Sequence, residues 1–109
     1  MSVTLTLRRH DLVPATITRR LGIKPSEYHE PWHPDTADDG TWILEPVAAA
    51  EKSLEAQLAE LLDVIEPRAA ELEKLYGEGY DVSLSVRGDV DADTVTRLAQ
   101  LGVPLVLAP

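Results

Sequence analysis

Val3-Thr-Leu-Thr-Leu-Arg8 near the start of the chain and Val82-Ser-Leu-Ser-Val-Arg87 near its end are two versions of one pattern. Apolar residues alternate with hydroxyls, and each run closes on an arginine. A side-chain period of two marks a half-buried strand. The segment after each strand repeats as well. Thr16-Ile-Thr-Arg19 and Leu21-Gly-Ile23 are answered by Thr94-Val-Thr-Arg97 and Leu101-Gly-Val103, so strands, helices and glycine stops recur at offsets of 79, 78 and 80 residues. Each copy reads strand, turn, short helix, glycine stop, next strand. Ile17 and Leu21 stand one helical turn apart and Gly22 ends their helix. In the second copy Asp91 or Asp93 caps a helix that buries Val95, Leu98 and Leu101 before Gly102.

Between the copies the pattern changes. Residues 24–40 hold Pro25, Pro31, Pro34 and Gly40 among acids and two histidines, and read as a long loop. Thr41-Trp-Ile-Leu-Glu45 is the next strand, with Trp42 and Leu44 on one face. Residues 51–76 are helical: Leu54, Leu58, Leu61, Leu62, Ile65, Leu72 and Tyr76 recur at steps of three and four. Pro67 lacks a donor, so the expected form is two helical pieces sharing one buried face. Pro104 places the closing strand, Val103 to Ala108, at a sheet edge.

Two strand–helix–strand units in series predict an α+β fold of split-βαβ, ferredoxin-like type with a four-stranded sheet. Half-repeats 2–45 and 80–109 flank a helical insert at 46–79, all in a single domain, residues 1–109. The two copied strands are then expected to be central, adjacent and parallel. Leu5, Leu7, Leu84 and Val86 face the helices; Thr4, Thr6, Arg8, Ser83, Ser85 and Arg87 form the opposite face. The apolar stripe of the insert needs a partner surface. Either three helices crowd one face of the sheet, or part of the stripe is buried in a homodimer.

Leu21-Gly-Ile-Lys-Pro25, Gly40-Thr-Trp-Ile-Leu44, Leu54-Glu-Ala-Gln-Leu-Ala-Glu-Leu-Leu62 ending in Pro67, and the strand from Val82 to Val86 together resemble the bacterial domain-of-unknown-function family 4279. The resemblance runs in order over nearly the whole chain. It implies no catalytic residues, because that family carries no established activity. It implies an accessory, interaction or immunity-type protein.

The chain has 109 residues, no cysteine and a net charge of −9. Without cysteine there are no disulfides, thiol nucleophiles or thiolate metal sites. No run approaches the roughly 20 apolar residues of a membrane span, so the chain reads as soluble and cytoplasmic, with no membrane partner. The charge is uneven: residues 1–25 are net +4 and residues 26–45 net −6. Such a chain repels phosphate backbones, which speaks against nucleic acid, and attracts a basic protein partner.

No catalytic constellation is expected, nor any cofactor or metal. His29, His33 and Asp35 supply donors, but Pro31 and Pro34 prevent the helix that would stack the histidines. Asp35, Asp38 and Asp39 lack the spacing of a calcium loop. The expected function is therefore a non-enzymatic, acidic protein-interaction domain, with an immunity-type inhibitor as its sharpest form. Its candidate binding residues are the open face Thr4, Thr6, Arg8, Ser83, Ser85 and Arg87, the loop aromatic Trp32, and Asp35, Asp38 and Asp39. One alternative is a regulatory domain that binds a small anion with Arg8 and Arg87. Another is an enzyme using the His29/His33/Asp35 loop.

Overall fold

The computed structural model describes residues 2–31, 39–47 and 49–108. Its centre is a ladder between β1 (Ser2–Arg9) and β4 (Asp81–Arg87). The period-two pattern behaves as expected. Val3, Leu5, Leu7, Val82, Leu84 and Val86 are buried on one face, and Thr4, Thr6, Ser83 and Ser85 are half-buried on the other. The two strands are adjacent but antiparallel, with Leu5 opposite Leu84 and Arg8 opposite Asp81. This corrects the parallel arrangement expected from the repeat. Leu84 lies 79 residues after Leu5 and is also its register partner. The copies are thus related by a half-turn about an axis through that pair, normal to the sheet.

The half-turn keeps both copied helices on one face. In the first copy, α1 (Pro14–Leu21) starts on a proline whose missing N–H is no loss at that position, and buries Ile17 and Leu21. Gly22 ends it at φ 74°, the left-handed region that favours glycine, and donates its N–H to the Thr18 carbonyl. In the second copy, α4 (Ala92–Ala99) is capped by Asp91, which accepts from the Thr94 N–H at 2.7 Å. Leu98 and Leu101 are buried while Val95 stays half-buried. Gly102 repeats the φ of 74°.

Among the described residues the sheet has five strands, in the order β2-β3-β1-β4-β5, not the expected four. The extra one is β2 (Glu27–His29), inside the stretch expected to be loop; three exposed residues leave no apolar period to read. It pairs antiparallel with β3 (Gly40–Leu44), which pairs antiparallel with β1. Hence β1 and β2 are parallel with β3 between them, a split unit. In the second copy β5 (Leu105–Ala108) lies directly beside β4 and parallel to it, at the sheet edge that Pro104 implied.

The direction of β4 follows from the added strand β2, which leaves β3 antiparallel to β1, and from a helical insert that crosses the sheet once. Ser53 caps α2 (Leu54–Ile65), its Oγ accepting from the Ala56 N–H at 3.2 Å. A short 3-10 turn, Glu66–Arg68, takes up Pro67 and leads into α3 (Ala69–Gly77). Glu66 and Ala69 keep right-handed helical dihedrals, so the chain bends at Pro67 without reversing. The insert therefore runs along the sheet once, and β4 returns parallel to β3 and antiparallel to β1. The four-stranded plan lacks β2 and so has one reversal fewer, which would leave the central strands parallel.

The stripe of the insert is spent on the sheet within this chain. Leu54, Leu58, Leu61, Leu62, Ile65, Leu72 and Leu75 join one core with Leu5, Leu7, Trp42 and Leu84. Tyr76, expected on that stripe, is 49% exposed; Leu75 takes the inward position. Arg68 secures the bend by donating from Nε to the Leu21 carbonyl at 2.7 Å and from Nη1 to the Val64 carbonyl at 2.6 Å. Both are carbonyls near helix ends that need a donor. No described helix is long and apolar enough to cross a membrane.

Gly40 opens β3 against the backbone of Leu12. A Cβ there would overlap the Leu12 carbonyl oxygen and come within 2.8 Å of its carbon. Gly40→Ala is expected to destabilise the fold by at least about 2 kcal/mol. Urea unfolding measures this, and an unchanged midpoint would show that β3 can shift away from Leu12.

Candidate functional site

All six expected open-face residues share one surface, because register partners in an antiparallel ladder point the same way: Thr4 with Ser85, Thr6 with Ser83, Arg8 with Asp81 and Ser2 with Arg87. A shallow cavity of about 290 Å³ runs along Ser2, Thr4, Thr6, Ser85 and Arg87 to Val106 and Ala108 of β5. The antiparallel direction separates the two arginines. Arg8 and Arg87 stand at opposite ends of the ladder, about 20 Å apart at the rise of a strand, farther than one small anion reaches. Arg8 is also partly neutralised, with Asp39 and Asp81 each 3.7 Å from its guanidinium. The Arg87 side chain has no ion pair or hydrogen bond among the described residues.

Of the acidic and aromatic candidates, Asp39 is thus placed beside Arg8 at the far end of this face. Trp32, Asp35 and Asp38 lie outside the described residues, as does His33. His29 is on β2, exposed, with Nε2 3.7 Å from Glu27 Oε1. Among the described residues no three His, Asp or Glu side chains are grouped to hold a metal ion. Trp42 is wholly buried and donates from Nε1 to Thr18 Oγ1 at 3.1 Å, tying β3 to α1.

Most described cations are spent on internal ties. Arg20 on α1 reaches across to α3 and its end, donating from Nε to Glu71 Oε1 at 2.7 Å and gripping both oxygens of Glu78 at 2.7 and 2.8 Å. That grip holds the Glu78 carboxyl below its usual range and raises the Arg20 guanidinium. Arg9 stacks on the Tyr80 ring 3.6 Å from its centroid and pairs with Asp11, and Arg97 on α4 pairs with Glu66 and Asp63. The Lys52 ammonium and the Val47 N–H likewise lower the Glu60 carboxyl. On sequence alone Arg20 reads only as a helix-end cation; its acidic partners lie 51 and 58 residues away.

The two sheet edges differ, and the sequence shows only part of that difference. β2 carries Glu27 and His29 at its edge, charged or polar guards against strand addition. β5 is Leu-Val-Leu-Ala, with Val106 52% and Leu107 47% exposed on opposite faces. The run of four uncharged residues is the signal present in the sequence. Pro104 places that strand at an edge but does not reveal how much apolar surface the edge leaves open.

The chain belongs to the family described as Domain of unknown function (DUF4279), whose model matches residues 1–107. No curated protein and no solved structure matches the chain.

The Arg20 clamp yields a pH test. A carboxyl held below its ordinary value stabilises the fold above that value and loses this contribution as the pH falls through the lowered one. Arg20→Gln should therefore unfold at lower urea than the native protein at pH 7. The gap should narrow as the pH drops below about 4, where an ordinary glutamate protonates, and shrink further as it falls through the lowered Glu78 value. A gap of equal size at pH 7 and pH 2.5 would mean that Arg20 acts through packing alone.

Proposed function

We propose that this family member is a non-enzymatic protein-association domain that docks its partner by strand addition at β5. One observation carries this reading: a sheet edge without a charge along four residues, exposing Val106 and Leu107 on both faces. An edge strand offers a row of unpaired N–H and C=O groups to another chain, and soluble proteins usually block such edges with charge. The opposite edge of this sheet has that block and β5 does not. Main-chain hydrogen bonds supply affinity in such docking, and pockets for alternate side chains supply specificity. Here Val106 continues the open-face cavity past Thr4, Thr6 and Ser85, so a partner strand beside β5 would extend that surface.

The charge of the chain supports a basic partner. The net charge is −9, and Arg9, Arg20 and Arg97 are committed to internal ion pairs. The field outside is therefore negative, which speeds encounter with a basic protein and makes it sensitive to salt. Inhibition of a basic toxin, the immunity-type role, is the sharpest form of this reading. Asp35, Asp38 and Asp39 belong to encounter in it, and the strand edge to affinity.

Val106→Lys and Leu107→Lys test the proposal, since each adds a charge to the edge without touching a buried position. Against proteins encoded by the neighbouring genes, each is expected to weaken binding at least tenfold, mainly through faster release, with thermal stability unchanged. Association rates should fall as salt rises. If the native protein sediments as a dimer and Val106→Lys as a monomer, the occupant is a second copy. A partner that binds both lysine variants as tightly as the native protein removes β5 as the docking element.

A further inference from the structure

A groove at the other end of the sheet has a different chemistry. It encloses about 470 Å³ between α1 and the β2 edge, and is lined by Pro14, Ala15, Thr18, Arg19, Lys24, Pro25, Tyr28 and Glu30. That size falls in the usual range for small-molecule sites. Tyr28 is the register partner of Trp42, so its ring stands on the helix-bearing face, beside α1. It is 55% exposed, a large aromatic surface left open to solvent. Pro14, Ala15 and Pro25 add apolar wall.

The charges in this groove run against the rest of the molecule. Among the described residues, Arg19, Lys24 and Arg87 are the three cations without an ion pair or hydrogen bond, in a chain with 19 acidic and 10 basic residues. Two of those three line this one cavity. Two cations on one cavity with no partner among the described residues, beside an exposed ring, form a combination suited to an anion attached to a flat group. The floor is firm, because Thr18 Oγ1 accepts from Trp42 Nε1 at 3.1 Å. That bond leaves the Thr18 hydroxyl hydrogen to donate to an anionic oxygen.

We infer that the groove between α1 and β2 binds a small aromatic anion, with its ring against Tyr28 and its phosphate or carboxylate between Arg19 and Lys24. Ring stacking and the apolar walls supply contact area, while the two cations supply orientation and charge. Glu30 lines the same groove, and its carboxylate opposes an anion there. The site is independent of strand docking at β5, which is the opposite edge of the sheet.

Phenyl phosphate is the minimal probe, titrated against the labelled protein by NMR beside inorganic phosphate and phenol. The aromatic phosphate should shift amides within residues 14–30 saturably and bind at least tenfold tighter than either fragment. Arg19→Gln combined with Lys24→Gln should lower its affinity at least tenfold. Tyr28→Leu should reduce the advantage over inorganic phosphate, and Glu30→Gln should tighten binding. Val106→Lys should leave it unchanged, which separates this site from the proposed function. Benzoate and adenosine monophosphate serve as further arms; the tightest of the three aromatic anions identifies whether the ligand is an aryl phosphate, an aryl carboxylate or a nucleotide. All four substituted groove positions are exposed, so the variants should keep the native spectrum elsewhere. The inference is overturned if no aromatic anion binds tighter than inorganic phosphate, if the shifts centre outside residues 14–30, or if the double variant binds as well as the native protein.

Discussion

A chain that leaves a sheet, runs along it once as a helix and returns must come back parallel to the strand it left. The stretch between Leu44 and Asp81 obeys this constraint because Pro67 bends the helical run without turning it round. Because pairing with β2 has already left β3 antiparallel to β1, β4 is antiparallel to β1 as well, and the half-turn that relates the two copies through Leu5 and Leu84 follows. A half-turn about the sheet normal leaves both copied helices on the same face. One face of the sheet therefore carries α1, α2, α3 and α4, and the other carries hydroxyls.

Packing on the helical face is closed by leucine and held at the helix ends by arginine. Leu58, Leu61, Ile65, Leu72 and Leu75 supply the apolar contact with Leu5, Leu7 and Leu84. Arg68 occupies the carbonyls of Val64 and Leu21, and Arg20 binds α1 to Glu71 and Glu78. These ties have a consequence for the surface. They use up positive charge inside the fold, so solvent and partners meet mainly carboxylates. Against that background Arg19 and Lys24 are conspicuous, and so is the uncharged edge of β5.

Much of the local structure is legible along the chain because it depends on near neighbours. The alternation at Val3–Leu7 and Val82–Val86, the glycine stops at Gly22 and Gly102, the Asp91 cap, the stripe from Leu54 to Leu72 and the buried Trp42 all follow from residues a few positions apart. β2 is not legible, since three exposed residues show no period; it is held by its register with β3. Tyr76 misleads because Leu75 fits the same helical face and only packing chooses between them. The open-face candidates Thr4, Thr6, Arg8, Ser83, Ser85 and Arg87 do form one surface, but its two ends are not where the repeat implies. Arg8 and Arg87 would stand close on parallel strands and stand far apart on antiparallel ones.

The sequence by itself determined which residues alternate, which helices form, where they stop, that the whole is α+β, and that the chain carries an excess of carboxylate. Those properties reside in side-chain period, capping chemistry and net charge, none of which needs a distant partner. Only the tertiary structure decided strand direction, the fifth strand and the pairing of Arg20 with Glu71 and Glu78. It also decided which edge and which groove were left open. A period of two is the same in either strand direction, and an arginine does not reveal along the chain which carboxylate it will meet. The first is settled by the short strand β2, which adds one reversal before the insert, and the second by where the folded path brings α1 against α3.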